Sequence, residues 1–213
     1  DGFQCNVEGR RTLLYFPIIH SQIEMGELSE AVKQMELEKI GLREWSRKAK
    51  IIEQYWNRIE ACIGTVNFRY DRTRLYQDGL PVCGRESDIV VELAEKGIFN
   101  YRLLRMLMKK GAILEGTESP MLITQEYELT KSLLSPAGTN GVVTEKFRSS
   151  YGEVAAGILK RRDEFIAKRI DETLKTGEAG VLFIGMLHKV KALIPEDINV
   201  ILPLDRFRPG TGV

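Results

Sequence analysis

Histidine and cysteine are scarce in this chain, and no charge sign dominates. Two histidines and three cysteines occur among 213 residues, and 31 Lys+Arg face 30 Asp+Glu, a formal net charge of +1. Near-neutrality argues against a nucleic-acid partner held by phosphate neutralisation. The cysteines, Cys5, Cys62 and Cys83, are odd in number and scattered, with no Cys-x-x-Cys. A disulfide framework and a structural zinc site are therefore not expected, and a reducing, cytoplasmic setting fits. No apolar run approaches the roughly 20 residues of a membrane span, and no secretory signal is visible. Walker, Gly-x-Gly-x-x-Gly, His-Glu-x-x-His and Gly-x-Ser-x-Gly motifs are missing too, which leaves nucleotide and serine-hydrolase chemistry without support.

What is present is an ordinary globular mixture, 43% hydrophobic and 29% charged, long enough to bury about 70% of its unfolded surface. Residues 1–10 are polar and aperiodic and read as an extension or cloning remnant. Residues 11–213 read as a single α/β domain. Leu13–Ile19 (LLYFPII) and Gly180–Met186 (GVLFIGM) are short apolar runs of the kind buried parallel strands give. Pro17 cannot donate to a ladder and belongs near a strand end or an edge. Further strands are expected over 67–76, 112–115 and 199–204, and the tail DRFRPGTGV is expected to fray. Helices are expected over 87–96, 101–110, from Pro120 to about Leu134 with Ser119 as N-cap, and over 145–175. Gly97 and Gly111 are the stops of the first two. Residues 190–194 read as a short helix, and Ser135–Gly141 as a flexible loop.

Leu28–Ile63 carries a heptad seam, with Leu42, Trp45, Ala49, Ile52, Trp56, Ile59 and Ile63 alternating by three and four. Unbroken, 36 residues would span about 54 Å. The helix therefore either breaks at Gly41 or projects toward a partner, and a homo-oligomer through residues 28–63 is one expectation. Altogether the pattern predicts an α/β fold: a mainly parallel sheet, helices on both faces, and a long heptad-patterned helix after the first strand.

Ligands of open parallel sheets bind beyond the strands' carboxyl ends. His20 ends the first expected strand, Glu115 and Glu118 follow the third, and His188 follows the fourth. Both histidines of the chain thus sit just past an apolar strand. Each residue also has a plainer role open to it. A histidine there can cap a backbone group. Ser21-x-x-Glu24 matches a capping box, although His20 and Glu24 four residues apart would also share a helix face. Glu118 can favour the positive end of the helix opening at Pro120.

On a helical wheel at about 100° per residue from Val154, Arg162 falls near 80°. Phe165, Ile158, Ile166, Leu159 and Ile170 surround it between about 20° and 160°. A guanidinium inside an apolar arc needs an anionic partner, either a buried carboxylate or a bound anion. Arg74, Tyr76 and Asp78 could enter the same crevice, though Gln77–Pro81 equally makes a plain turn.

These residues together resemble the TraB/PrgY–Tiki group, distantly related to ChaN and erythromycin esterase. The likeness rests on Arg162-Asp163-x-x-Ile166-Ala167-x-x-Ile170 followed by a strand and Gly185-Met186-Leu187-His188. At the other end a strand closes in Pro17-Ile18-Ile19-His20, with Pro17 where the group has glycine. The resemblance implies that His20 and His188 match the two motif histidines and Arg162 the helix arginine, with glutamates between. It also implies a metal-dependent hydrolase, since Tiki members are metal-dependent proteases. Acting on a peptide or ester bond of a small-molecule or peptide substrate, such a chain would use His20, Glu115 and His188 as metal ligands. Glu118 and Arg162 would be its catalytic groups. Two imidazoles and a carboxylate suit a divalent ion of the Mn, Co or Zn class. With two histidines, a third ligand must be oxygen or Cys83, and oxygen is preferred. Two alternatives stay open: a non-catalytic module sensing a small anion, and a helix-mediated interaction protein.

Overall fold

The computed structural model describes residues 3–4, 9–19, 28–134 and 145–207. Strand β1 (Phe3–Gln4) is short; β2 (Arg11–Ile18) follows, then helix α1 (Ser29–Gly64). The chain continues through β3 (Val66–Asn67), a 3₁₀ turn at Tyr70–Arg72, and β4 (Thr73–Gln77). Helices α2 (Glu86–Glu95) and α3 (Phe99–Lys109) lead to β5 (Ile113–Leu114) and α4 (Pro120–Leu134). After α5 (Glu145–Thr173) come β6 (Ala179–Gly185), a 3₁₀ turn at Val190–Leu193, β7 (Ile198–Ile201) and the one-turn helix α6 (Pro203–Arg206).

Five strands form one parallel sheet in the order β5-β4-β6-β2-β7, and β1 pairs separately with β3. A strand covered on both faces reads as an unbroken apolar run, and alternation splits β2 between two cores. Leu14, Phe16 and Ile18 join Trp56, Leu104 and Leu107 beneath α1–α3. Leu13 and Tyr15 join Ile166, Ile170 and Leu174 beneath α5. The expected fold class is thus what the chain adopts.

Pro17 sits one residue from the end of β2. It pairs with Ile184 of β6, and β7 has stopped pairing at Leu14. Its carbonyl accepts the Tyr55 hydroxyl at 2.7 Å, while the Ile18 carbonyl accepts Met186 N–H. Pro17's nitrogen therefore faces away from β6, where no ladder donor is needed.

Helix α1 breaks at Gly41, whose φ of +75° is a left-handed conformation natural only to glycine. Lys48 Nζ lies 2.6 Å from Glu36 Oε1. Twelve residues along a straight helix would separate them by about 18 Å, so the first segment folds back on the second. The seam is buried only toward its end, at Trp56, Ile59 and Ile63, and Leu42 is 69% exposed.

Three expected strands are shorter than the sequence suggests, and over 112–115 only Ile113–Leu114 is strand. Over 67–76 the 3₁₀ turn takes the middle, leaving β4. Over 199–204 Pro203, at the first turn of α6, ends the extended run. Part of the expected frayed tail is therefore helical. The loop 135–141 lies outside the described residues, as do His20, Ser21, Glu24 and Cys5. Gly97 and Gly111 have φ of +83° and +104° and stop α2 and α3 as expected. No helix among the described residues is long and apolar enough to cross a membrane.

Candidate functional site

The carboxyl ends of the adjacent strands β4 and β6 carry a buried cluster of opposite charges. Asp78 is the first residue after β4. Its N–H continues the ladder to the Phe183 carbonyl at 2.9 Å, and its Oδ2 accepts Gly185 N–H at 2.8 Å. Glu118 follows β5 and is fixed through its backbone. It forms a bridge with Pro81, its N–H donates to the Leu80 carbonyl, and its own carbonyl accepts Val82 N–H. That segment approaches closely. A Cβ on Gly116 would stand 2.8 Å from Val82 Cα, so only glycine lets the two chains meet. Glu118 is fully buried and Asp78 is 3% exposed.

Arg162 reaches both from α5. Its Nη2 donates to Asp78 Oδ1 at 2.7 Å and to Glu118 Oε1 at 2.5 Å, and its Nε donates to Glu118 Oε2 at 3.0 Å. Nη1 donates to Glu126 Oε2 at 2.5 Å, from a side chain on α4 that is 44% exposed. Gly79 N–H adds a bond to Glu118 Oε1 at 3.2 Å. The next residue, Asp163, faces His188: Oδ1 lies 2.5 Å from His188 Nδ1, and Oδ2 accepts Lys189 N–H at 2.9 Å. His188 Nε2 lies 3.4 Å from Asp78 Oδ2.

Four carboxylates thus surround one guanidinium and one imidazole. Burial opposes the Arg162 charge, but Glu118, Asp78 and Glu126 outweigh it and hold the group firmly protonated. Burial pushes the Glu118 carboxyl up to about 7; Arg162 pulls it down and Asp78 pushes it up further. Burial lowers the His188 imidazole, yet Asp78 and Asp163 raise it above its ordinary value against a smaller opposing effect from Arg162. Tyr15 on β2 is pushed up to about 12, by burial and then by the negative charge of Asp163 and Asp78. Each shift reports the same condition: more negative charge than a poorly solvated site readily holds.

The structure brings together four of the residues named from sequence: Glu118, Arg162, His188 and, from the group left open to a turn, Asp78. Glu115 stands apart. Its carboxylate pairs with Arg74, which also binds Glu178, and with Arg169 Nη2 at 3.4 Å. His20 lies outside the described residues. Asp163 and Glu126 complete the network. Asp78 was open to a turn reading, yet it meets the positional criterion used for the histidines, directly after a buried strand. Asp163 falls near 180° on the wheel, about 20° past Ile170. Only a wider arc would have included it.

One imidazole nitrogen and two carboxylate oxygens, from His188, Asp78 and Glu118, lie within 4.8 Å of one another, a spacing that could hold a metal ion. Comparison with protein-family models, with curated proteins and with solved structures finds no match to this chain.

Proposed function

We propose that the chain is a metal-dependent hydrolase acting on a peptide or ester bond, with Asp78, Glu118 and His188 holding a divalent ion. The observation that carries this reading is the convergence of those three donors at neighbouring strand ends, inside a cluster with two more acidic side chains than basic ones. A nitrogen-and-oxygen donor set suits a divalent ion of the Mn, Co or Zn class, and added positive charge would offset the excess. The resemblance of the Arg162-Asp163 helix and the Gly185–His188 segment to the TraB/PrgY–Tiki group supports the same chemistry.

Such an ion supplies Lewis acidity, acidifying water and polarising a carbonyl. The chain's own groups do the rest. Arg162 orients the carboxylates of Asp78 and Glu118 by charge-assisted hydrogen bonds. Gly79 N–H, a second donor to Glu118, helps hold that carboxylate toward Asp78 and His188. Glu126 is the member of the network that reaches solvent. An anion-sensing role finds less support, because the Arg162 guanidinium already faces three carboxylates.

The test is hydrolysis of ester and peptide panels by the chelator-treated full chain, with Mn, Co or Zn added back. Activity restored by metal and abolished in Asp78→Asn and His188→Ala is expected. Undiminished activity in those variants would remove the proposal.

One observation favours a second reading, helix-mediated self-association. Leu42 of the heptad seam is exposed, as are Met35, Ile40 and Ile51 elsewhere on α1, apolar surface that a second copy of the chain could cover. Sedimentation of a Leu42→Glu, Ile51→Glu variant should give a lower mass than the parent if these side chains join copies. An equal mass would exclude it.

A further inference from the structure

We propose that Asp163 is a positioning residue: it fixes the neutral His188 imidazole with hydrogen on Nδ1 and leaves Nε2 as the lone-pair atom turned toward Asp78. This rests on the metal-site reading for its purpose but not for its geometry. A neutral imidazole has one donor and one acceptor nitrogen, and the partners decide which is which. Both ring nitrogens of His188 face carboxylates, so the two contacts compete for the hydrogen. The Asp163 contact is 2.5 Å and the Asp78 contact 3.4 Å, and only the first has charge-assisted hydrogen-bond geometry.

Asp163 is also a firmly anchored acceptor. It is 4% exposed, sits on a helix packed into the core, and is held at its other oxygen by Lys189 N–H. That second bond ties it to the loop carrying His188, so ring and carboxylate move together. Asp78 divides its oxygens between Gly185 N–H and Arg162. With hydrogen on Nδ1, the Nε2 lone pair and Asp78 Oδ2 confront each other across 3.4 Å. Two lone pairs at that range repel, and a divalent ion between them would turn that repulsion into attraction. A carboxylate behind an imidazole that faces such a space is the arrangement that sets ring orientation and strengthens a histidine ligand. The adjacent residues Arg162 and Asp163 thus divide the work, one steadying the carboxylates and the other the imidazole.

The experiment is a long-range ¹H–¹⁵N correlation spectrum of the metal-free, ¹⁵N-labelled full chain at alkaline pH, where the imidazole is neutral. With two histidines in the chain, a His20→Gln variant assigns the signals. Hydrogen on Nδ1 of His188 is expected in the parent. In Asp163→Asn, whose amide can donate as well as accept, a mixture of tautomers or the Nε2–H form is expected. Asp163→Glu should keep the parent pattern. Hydrogen on Nε2 in the parent, or a tautomer unchanged by Asp163→Asn, would overturn the assignment. The parent spectrum decides even if the asparagine variant does not fold. Zinc affinity of folded Asp163→Asn, measured by competition with a chelating dye, should fall about 10- to 100-fold, and an unchanged affinity also counts against the role. A parent that binds no metal but carries hydrogen on Nδ1 would sink the hydrolase reading and leave this one standing.

Discussion

Replacing Arg162 with methionine keeps a similar apolar stem and deletes the one guanidinium inside the cluster. The substitution removes four hydrogen bonds to three carboxylates, of which Glu118 and Asp78 have almost no contact with water. Breaking a buried pair from one side costs about 3–5 kcal/mol, because the remaining charge has neither partner nor solvent. For a chain of this size each kcal/mol shifts the melting point by about 2–4 °C. A loss of roughly 6–20 °C is therefore expected at pH 8. The orphaned carboxylates relieve themselves by binding protons, so their folded-state pKa values rise further and the deficit shrinks at pH 5. Urea unfolding followed by tryptophan fluorescence reads this directly, since Trp56 is buried with its ring centroid 6.3 Å from that of Phe183 on β6. A loss below about 1 kcal/mol, or one equal at pH 5 and pH 8, would refute the idea of a poorly solvated, excess-negative cluster.

Other outcomes follow from the same geometry. Glu118 and His188 both have raised pKa values in the folded chain. Each contributes stability that is full below its unfolded pKa and is lost as pH rises through the folded value. For Glu118 the window runs from 4.5 to about 7, and for His188 it opens at 6.5 and extends upward. The site therefore favours the fold more at pH 5 than at pH 8, with a slope of up to about 1.4 kcal/mol per pH unit for each group. Glu118→Gln should flatten the lower part of that slope, and an unaltered profile would show that Glu118 ionises normally. Gly116→Ala forces a Cβ against Val82 Cα and Glu86 Oε1, each at 2.8 Å. It should cost about 1–3 kcal/mol and weaken metal binding by moving Glu118. Wild-type stability and affinity in that variant would mean the close approach is not needed.

The strands that build the site could be read from sequence because burial on both faces leaves a continuous apolar run, as in β2 and β6. Gly41 stands out in the sequence as the weak point of α1, the residue that tolerates the conformation found there, although the heptad pattern alone fits an unbroken, projecting helix as well. The alternating pattern before β4 misled, because Tyr70–Arg72 satisfies the same alternation as a 3₁₀ turn. His188 and Glu118 stood out by position and Arg162 by its place on the wheel. The choice between Glu115 and Glu118 was not available from spacing. Three residues apart on one connecting segment, they are separated by the backbone bridge from Glu118 to Pro81, which turns one carboxylate into the cluster and leaves the other with Arg74 and Arg169. That is a long-range pairing, and local pattern carries no trace of it.

The most direct measurement is anomalous scattering from crystals of the full chain soaked in manganese or zinc. The account predicts a single strong peak within about 2–2.3 Å of His188 Nε2 and of carboxylate oxygens from Asp78 and Glu118, lost in Asp78→Asn. Soaked crystals with no peak there, and Arg162 alone bridging the two carboxylates, would contradict it.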